Sequence, residues 1–173
     1  MENIKLVKRA KKGDKEAFSS LVRIHEKDLY RVSITMVKNN EDALDCIQDT
    51  ILKAYEKIHS LNEEKYFKTW LLKILINNCN NLLRLRNRVI DLQGYIPEEG
   101  SYEEENFLEV NEYVNSLSEE LRVLIVLYYF EDIGVSDIAS SLNIPEGTVK
   151  SRLHRARALL GKIISRDMEE LIK

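Results

Sequence analysis

No run of apolar residues in the 173-residue chain approaches the roughly 18 needed to cross a bilayer as a helix. The opening MENIKLVKRAKKGD lacks the apolar stretch of a secretory signal, so a cytoplasmic protein is expected. Cysteine is scarce: Cys46 and Cys79 stand far apart, with no second pair and no histidine cluster at metal-ligand spacing. A disulfide framework and a metal centre are both excluded from the expectation, and the two thiols are read as core or partly buried. Catalytic signatures are missing too. There is no phosphate-binding glycine loop, no HExxH and no nucleophile elbow, so the chain is expected to need no cofactor and not to be an enzyme.

What the chain does have is charge, unevenly placed. Met1 to Arg88 carries 18 Lys/Arg against 12 Asp/Glu; residues 89–113 carry none against 8; residues 114–173 carry 8 against 9. The overall charge of -3 therefore hides two blocks with basic faces around an acidic spacer. The spacer also holds Gly94, Pro97 and Gly100 and the run EEGSYEEE, the composition of a flexible linker. Outside it the apolar residues recur with helical spacing and no strand pattern competes. The expected fold is all-α: two small helical domains, 1–88 and 113–173, joined by a linker over 89–112.

Asp14 is placed to cap a helix in which Phe18, Leu21, Val22, His25, Leu29, Val32 and Met36 share one face, ending at Asn39-Asn40. With no partner ligand nearby, His25 reads as an interior or boundary histidine. From about Glu41 to His59, Ala43, Ile47, Ile51, Ala54 and Ile58 predict a core face. The opposite side sets Asp45, Asp49 and Glu56 around Leu52, with Gln48 at the edge. Two readings stand for that side: a docking surface with an apolar anchor among charges, or a solvated face with one stray leucine.

From Tyr66 to Arg88, Phe67, Leu71, Ile74, Leu75, Asn78 and Leu82 predict an inner face. Tyr66, Thr69, Trp70, Lys73, Asn77, Asn80, Asn81 and Arg84 collect on the other. Rings among amides and cations suit unpaired nucleic acid, since rings stack on bases while amides meet base edges and cations meet phosphate. Equally, Tyr66 and Trp70 can simply pack on a neighbouring helix.

The second block reads as a helix entered at Ser118, expected as its N-cap, then a short helix bearing Ile138, Ala139 and Leu142. That helix closes at Asn143, and Ile144-Pro145 turns the chain into a further helix from near Glu146. In the last helix Val149, Leu153, Ala156 and Leu160 predict the buried stripe, leaving Lys150, Ser151, Arg152, His154, Arg155 and Arg157 on or beside the open side. Between Gly147 and Arg166 there are six cations and no anion. This is a helix-turn-helix whose second helix is equipped for the major groove, with Arg for guanine, Ser and His for base edges and outer cations for phosphate.

Four stretches together, GDKEAFSSLVRIH, DALDCIQDTILKAYEKIHSL, FKTWLLKILINNCNNLLR and IPEGTVKSRLHRARALL after LSEELRVLIVLYYFED, resemble the extracytoplasmic-function (ECF) sigma factors of bacterial RNA polymerase over essentially the whole chain. The resemblance implies a sigma-2 helical bundle at 1–88, an acidic linker at 89–112 and a sigma-4 helix-turn-helix at 113–173. It implies that Asp45, Gln48, Asp49 and Leu52 dock on the β′ coiled coil of the core polymerase. Tyr66, Trp70, Lys73, Asn77, Asn81 and Arg84, with the loop before them, are implied to recognise and open the minus-ten element. Lys150, Ser151, Arg152, His154 and Arg155 are implied to read the minus-thirty-five element. Core polymerase (β′ and β), promoter DNA in duplex and single-stranded form, and an anti-sigma factor, often membrane-anchored, are the partners it implies, and no stable homo-oligomer is expected. Two departures are visible: the loop Ser60 to Lys65 is acidic and lacks the glycine many relatives carry, and Gly134 stands where relatives usually cap with Ser one turn earlier. A free-standing helix-turn-helix regulator, and an interaction protein acting as a sigma-like decoy, are the other readings of the same residues.

Overall fold

The computed structural model describes residues 2–93 and 112–171, with side chains over 3–86, 88 and 112–166. Every regular element among them is helical. They fall into two compact units, one within Met1–Tyr102 and one within Glu103–Lys173. Residues 94–111, most of the expected linker, lie outside the described residues.

The first unit starts with α1 (Glu2–Lys11), which buries Val7 and Ala10. It ends in a turn where Gly13 takes φ 91°, a left-handed conformation that costs glycine little. Asp14 then caps α2 (Lys15–Ile24): its Oδ1 accepts from the Ala17 amide at 3.0 Å while Oδ2 meets Arg9 at 2.7 Å. The Ala17 amide first, and Arg9 second, hold that carboxyl below its ordinary range.

The single helix expected from Asp14 to Asn39 is in fact two. His25 (φ -104°, ψ 9°) closes α2 and opens α3 (Glu26–Val37). No glycine or proline marks the break, so the sequence carried no local sign of it. The apolar row survives because both helices face the same core: Phe18, Leu21, Leu29, Val32 and Met36 are buried. His25, only 8% exposed, donates from Nδ1 to Asp28 Oδ2 at 3.1 Å and lays its ring 5.8 Å from Phe67, the boundary role expected of it.

Asn39 caps α4 (Asn40–Lys57) by accepting from the Asp42 amide at 3.0 Å. Its inner face is turned slightly from the expected one. Ala43, Cys46, Thr50 and Ala54 are fully buried, whereas Ile47 and Ile51 are half-buried at the edges. Small side chains occupy the seam where α4 meets α5 (Phe67–Gln93), and hydrogen bonds fix its register. Asn78 Nδ2 donates to Thr50 Oγ1 at 2.8 Å, Thr50 Oγ1 donates to the Cys46 carbonyl at 2.6 Å, and Lys53 Nζ donates to Asn78 Oδ1 at 2.6 Å. Every polar group of this network has a partner, which removes the penalty of burying it. Cys46 and Cys79, isolated in sequence, lie against each other in the same seam as free thiols. Burial pushes both thiols up, away from the reactive thiolate. Helix α5 continues through residues 89–93, past Arg88.

In the second unit α6 (Glu112–Asn115) leads to α7 (Glu119–Ile125). Ser118 stands at the N-cap position, but its hydroxyl makes no capping bond, contrary to expectation. The entry is instead tied by Arg122, whose Nη2 donates to the carbonyls of Asn115 (2.8 Å) and Leu117 (2.9 Å). One wide turn, Val126–Phe130, follows α7, with the Glu131 amide reaching back five residues to the Val126 carbonyl at 3.1 Å. Helix α8 (Val135–Leu142) begins at Gly134 with no side chain to cap it and ends at Asn143 in the left-handed conformation (φ 54°, ψ 46°). Helix α9 (Glu146–Leu171) follows at once, and Ile138, Ala139, Val149, Leu153 and Ala156 are buried where it meets α7 and α8. The helix-turn-helix stands as read, with Leu160 half-buried at the end of its stripe.

Candidate functional site

Three surfaces carry the residues singled out in the sequence. On α4, Asp45, Gln48, Asp49 and Leu52 all face outward, and Leu52 is 64% exposed, the largest exposure among the big apolar side chains described. The face holds more than the sequence reading assigned to it. Leu44 and Tyr55 are also exposed, at 44% and 42%, so Leu44, Gln48, Leu52 and Tyr55 form one stripe at spacings of four, four and three with carboxylates along one flank. That spacing was readable, but the apolar members were too few to stand out from a solvated face. Tyr55 is held from behind by Phe18, ring centroids 5.1 Å apart at 70°.

The second surface is the start of α5 with the connection before it. Two short 3-10 turns, Ile58–Ser60 and Glu64–Tyr66, flank the exposed Asn62 and Glu63. Leu61 is buried, so the connection is pinned at its middle. Lys11 Nζ, from α1, donates to the Leu61 carbonyl at 2.7 Å and pairs with Glu64 Oε1 at 3.2 Å. Tyr66 projects, 53% exposed, with Lys65 Nζ 4.7 Å from its ring centre. Trp70 is half-buried, its ring 5.9 Å from that of Phe67. Asn77, Asn81 and Arg84 are exposed and Lys73 is half-buried; Arg84 donates to Asn81, which sets the amide's orientation. Of the two rings, Tyr66 is the freer, and Trp70 shares its surface with the core.

The third surface is the open side of α9. Lys150, Ser151, His154, Arg155 and Arg157 are exposed. Lys150 makes a loose pair with Glu146 at 3.5 Å, both side chains well solvated. Arg152 differs from its neighbours: half-buried, it turns back to α7 and places Nη2 2.9 Å from Glu120 Oε2. Sequence spacing put Arg152 among the groove-facing cations without registering this partner 32 positions away.

Among the described residues no group of His, Cys, Asp and Glu is arranged to hold a metal ion, and no helix is long and apolar enough to cross a membrane.

An all-α chain with a carboxylate-flanked apolar stripe and an aromatic-amide-cation surface in one unit, and a basic helix-turn-helix in the other, is built as a transcription initiation factor of the sigma-70 type. The family pattern of sigma-70 region 2 matches residues 21–89, and that of sigma-70 region 4 matches residues 107–160. The chain is 30% identical to the ECF RNA polymerase sigma factor SigW of Bacillus subtilis, over 91% of this chain and 94% of that one. It is 31% identical to the ECF RNA polymerase sigma-E factor of Haemophilus influenzae, over 90% and 91%. Among solved structures, RpoE of Bartonella quintana, in complex with the anti-sigma factor NepR, superposes with a TM-score of 0.65 at 27% identity, covering 86% of this chain and 96% of that one. CnrH, in complex with the cytosolic domain of CnrY, gives the same TM-score at 24% identity over 96% and 99%, a likeness of fold. The chain belongs to the ECF sigma factors of the sigma-70 family.

Proposed function

We propose that the chain carries out promoter recognition and opening for core RNA polymerase through the three surfaces described above, divided as a sigma-2 domain at 1–88, a linker at 89–112 and a sigma-4 domain at 113–173. The α4 stripe docks on the polymerase: Leu52, with Leu44 and Tyr55, supplies apolar contact, while Asp45 and Asp49 give register and speed encounter with a basic partner. Tyr66, Trp70, Lys73, Asn77, Asn81 and Arg84 receive the minus-ten strands, Tyr66 as the ring most open to a base. Lys150, Ser151, His154 and Arg155 meet the minus-thirty-five duplex, with Arg152 held at the edge of that face by Glu120. The observation that carries the reading is the presence in one chain, in order, of region 2 and region 4 matches, each ending in a unit with an exposed cationic surface. A free-standing regulator would use the first of those units for sensing or dimerising, and would not call for the region 2 match it carries.

Strand separation and recognition make or break no covalent bond, so the activity needs no catalytic side chain and no cofactor. Work in the cytoplasm follows from the polymerase partnership. An anti-sigma factor fits as a further partner, because the RpoE relative has been solved bound to one. The test is run-off transcription with purified core polymerase on fragmented host DNA. Discrete new start sites sharing two spaced upstream elements are expected. A folded protein that yields no new starts, yet binds a palindromic duplex unaided, would instead be a free-standing regulator.

A further inference from the structure

Helix α1 reaches the connection before α5 although none of its residues was expected in the site from sequence. Its one inward cation, Lys11, crosses to the connection before α5 and there satisfies two acceptors with one ammonium: the Leu61 carbonyl at 2.7 Å and Glu64 Oε1 at 3.2 Å. Both side chains are about three-quarters covered, 23% and 24% exposed, unlike the neighbouring Glu63–Lys65 pair at 58% and 56%. A shielded, doubly used ammonium is worth more than a solvated surface pair. It is also placed where it matters for shape. Leu61 has extended backbone (φ -68°, ψ 116°) between two 3-10 turns, and the exposed Asn62 and Glu63 follow directly from the carbonyl that Lys11 holds. On the far side the Tyr66 amide closes onto the Glu63 carbonyl at 3.1 Å. The tip is therefore fixed at both ends, and one of the two fixings comes from 50 residues away in sequence.

We propose that Lys11 is a positioning residue for minus-ten selectivity: by clamping the Leu61 carbonyl and Glu64, α1 sets the pose in which the Asn62-Glu63 tip meets the separated strand. The proposal rests on the reading of this connection as part of the minus-ten surface. Lys11 touches no base in it; its effect passes through backbone geometry, and a displacement on the order of 1 Å at such a distance is enough to degrade selection. The acidic tip gives a reason for the clamp. A loop carrying Glu63 and Glu64 beside a phosphate backbone is repelled unless something holds it, and Lys11 both neutralises Glu64 and anchors the loop.

The experiment uses the full chain with core polymerase on a promoter library whose minus-ten element is randomised and whose minus-thirty-five element is fixed, reading start-site counts by sequence. Lys11→Met is expected to lower discrimination between the preferred base and its best rival about five- to tenfold at one or two adjacent positions, the net scale of one ordinary hydrogen bond. Lys11→Arg should restore most of the wild-type profile, and Glu64→Gln, which leaves the Leu61 contact, should fall between. Binding of a minus-thirty-five duplex should not change. An unchanged base profile in Lys11→Met, with or without a uniform drop in output, overturns the proposal and leaves Lys11 a structural residue. If Lys11→Met does not fold, Glu64→Gln decides: a shift at those positions supports the clamp and an unshifted profile overturns it. A wild-type chain that directs no new starts overturns the promoter reading itself, which an unchanged variant profile would not.

Discussion

Arg152 Nη2 lies 2.9 Å from Glu120 Oε2, so α9 is tied to α7 by one of the cations along its basic side. The pair is one-third exposed at the arginine and two-thirds at the glutamate, and contributes no more than about 1 kcal/mol to stability. With α9 in the groove as proposed, its larger effect is on binding, since Glu120 then competes with phosphate for the guanidinium. Glu120→Gln should therefore tighten binding to duplex DNA of any sequence and steepen the dependence of log K on log salt by up to about one unit. Fluorescence anisotropy at several salt concentrations reads both. A weaker, unsteepened titration would mean instead that Glu120 aims α9, and that the pair helps recognition.

Substitutions on the exposed α4 stripe test the proposed docking apart from folding. Because Leu52 is 64% exposed, Leu52→Glu should change stability by no more than about 0.5 kcal/mol, while the buried Leu75→Ala should cost about 2–5 kcal/mol. In co-purification with core polymerase, Leu52→Glu and Asp49→Arg should both be lost from the complex. Retention of both would move the docking face away from α4.

How much of this was legible depended on range. Caps and turns are largely local: Asp14, Gly134 and Asn143 stand where the sequence put them, whereas Asn39, read as the end of one helix, caps the start of the next, and Ser118 holds its position without a capping bond. The buried stripe of α9 followed from its period. What was not legible needed a second element. The break at His25 falls where its ring lies beside Phe67 of α5, with no breaker residue present. The exchange of Ile47 and Ile51 for Cys46 and Thr50 in the buried row depends on how closely α5 approaches, which no property of α4 alone reveals. Arg152 found a partner 32 positions away, and Lys11 found two, 50 and 53 positions away. The outward face of α4 was visible as a pattern of two possible meanings, and its exposed Leu44, Leu52 and Tyr55 are what favour the docking reading proposed above.

Asp28 predicts a pH dependence for the first unit. Burial opposes its ionisation, but His25 at 3.1 Å and Lys68 at 3.2 Å outweigh that and hold the carboxyl below its ordinary 3.8. A group with a depressed folded pKa adds stability that is complete above its unfolded value and disappears as pH falls through that value towards the folded one. Asp28→Asn should therefore destabilise the unit by about 1 kcal/mol at pH 7, a figure already reduced for solvent screening. The gap between variant and wild type should narrow below about pH 4. Urea melts between pH 3 and 7 check it, and a gap that stays constant would assign the loss to packing and not to charge.

On α9, Lys150 and Arg155 are both exposed, but the chemistry available to each differs, and a single experiment separates them. Lys150 is a point charge whose loose 3.5 Å pairing with Glu146 phosphate can displace. Arg155 presents a planar fork that can meet a guanine edge with two bonds as readily as a phosphate. Lys150→Ala should weaken binding by the same factor on every minus-thirty-five variant and reduce the salt slope by about 0.9, the share of one phosphate contact. Arg155→Ala should, if it reads a base, relax preference at one position by about 1–3 kcal/mol while changing the slope little. Titrating both variants against a set of duplexes, each altered at one position, at three salt concentrations separates the two roles. Uniform weakening with a lower slope in both variants makes both phosphate contacts and passes base reading to Ser151 and His154. Unchanged affinity in both would take the open face of α9 out of the groove altogether.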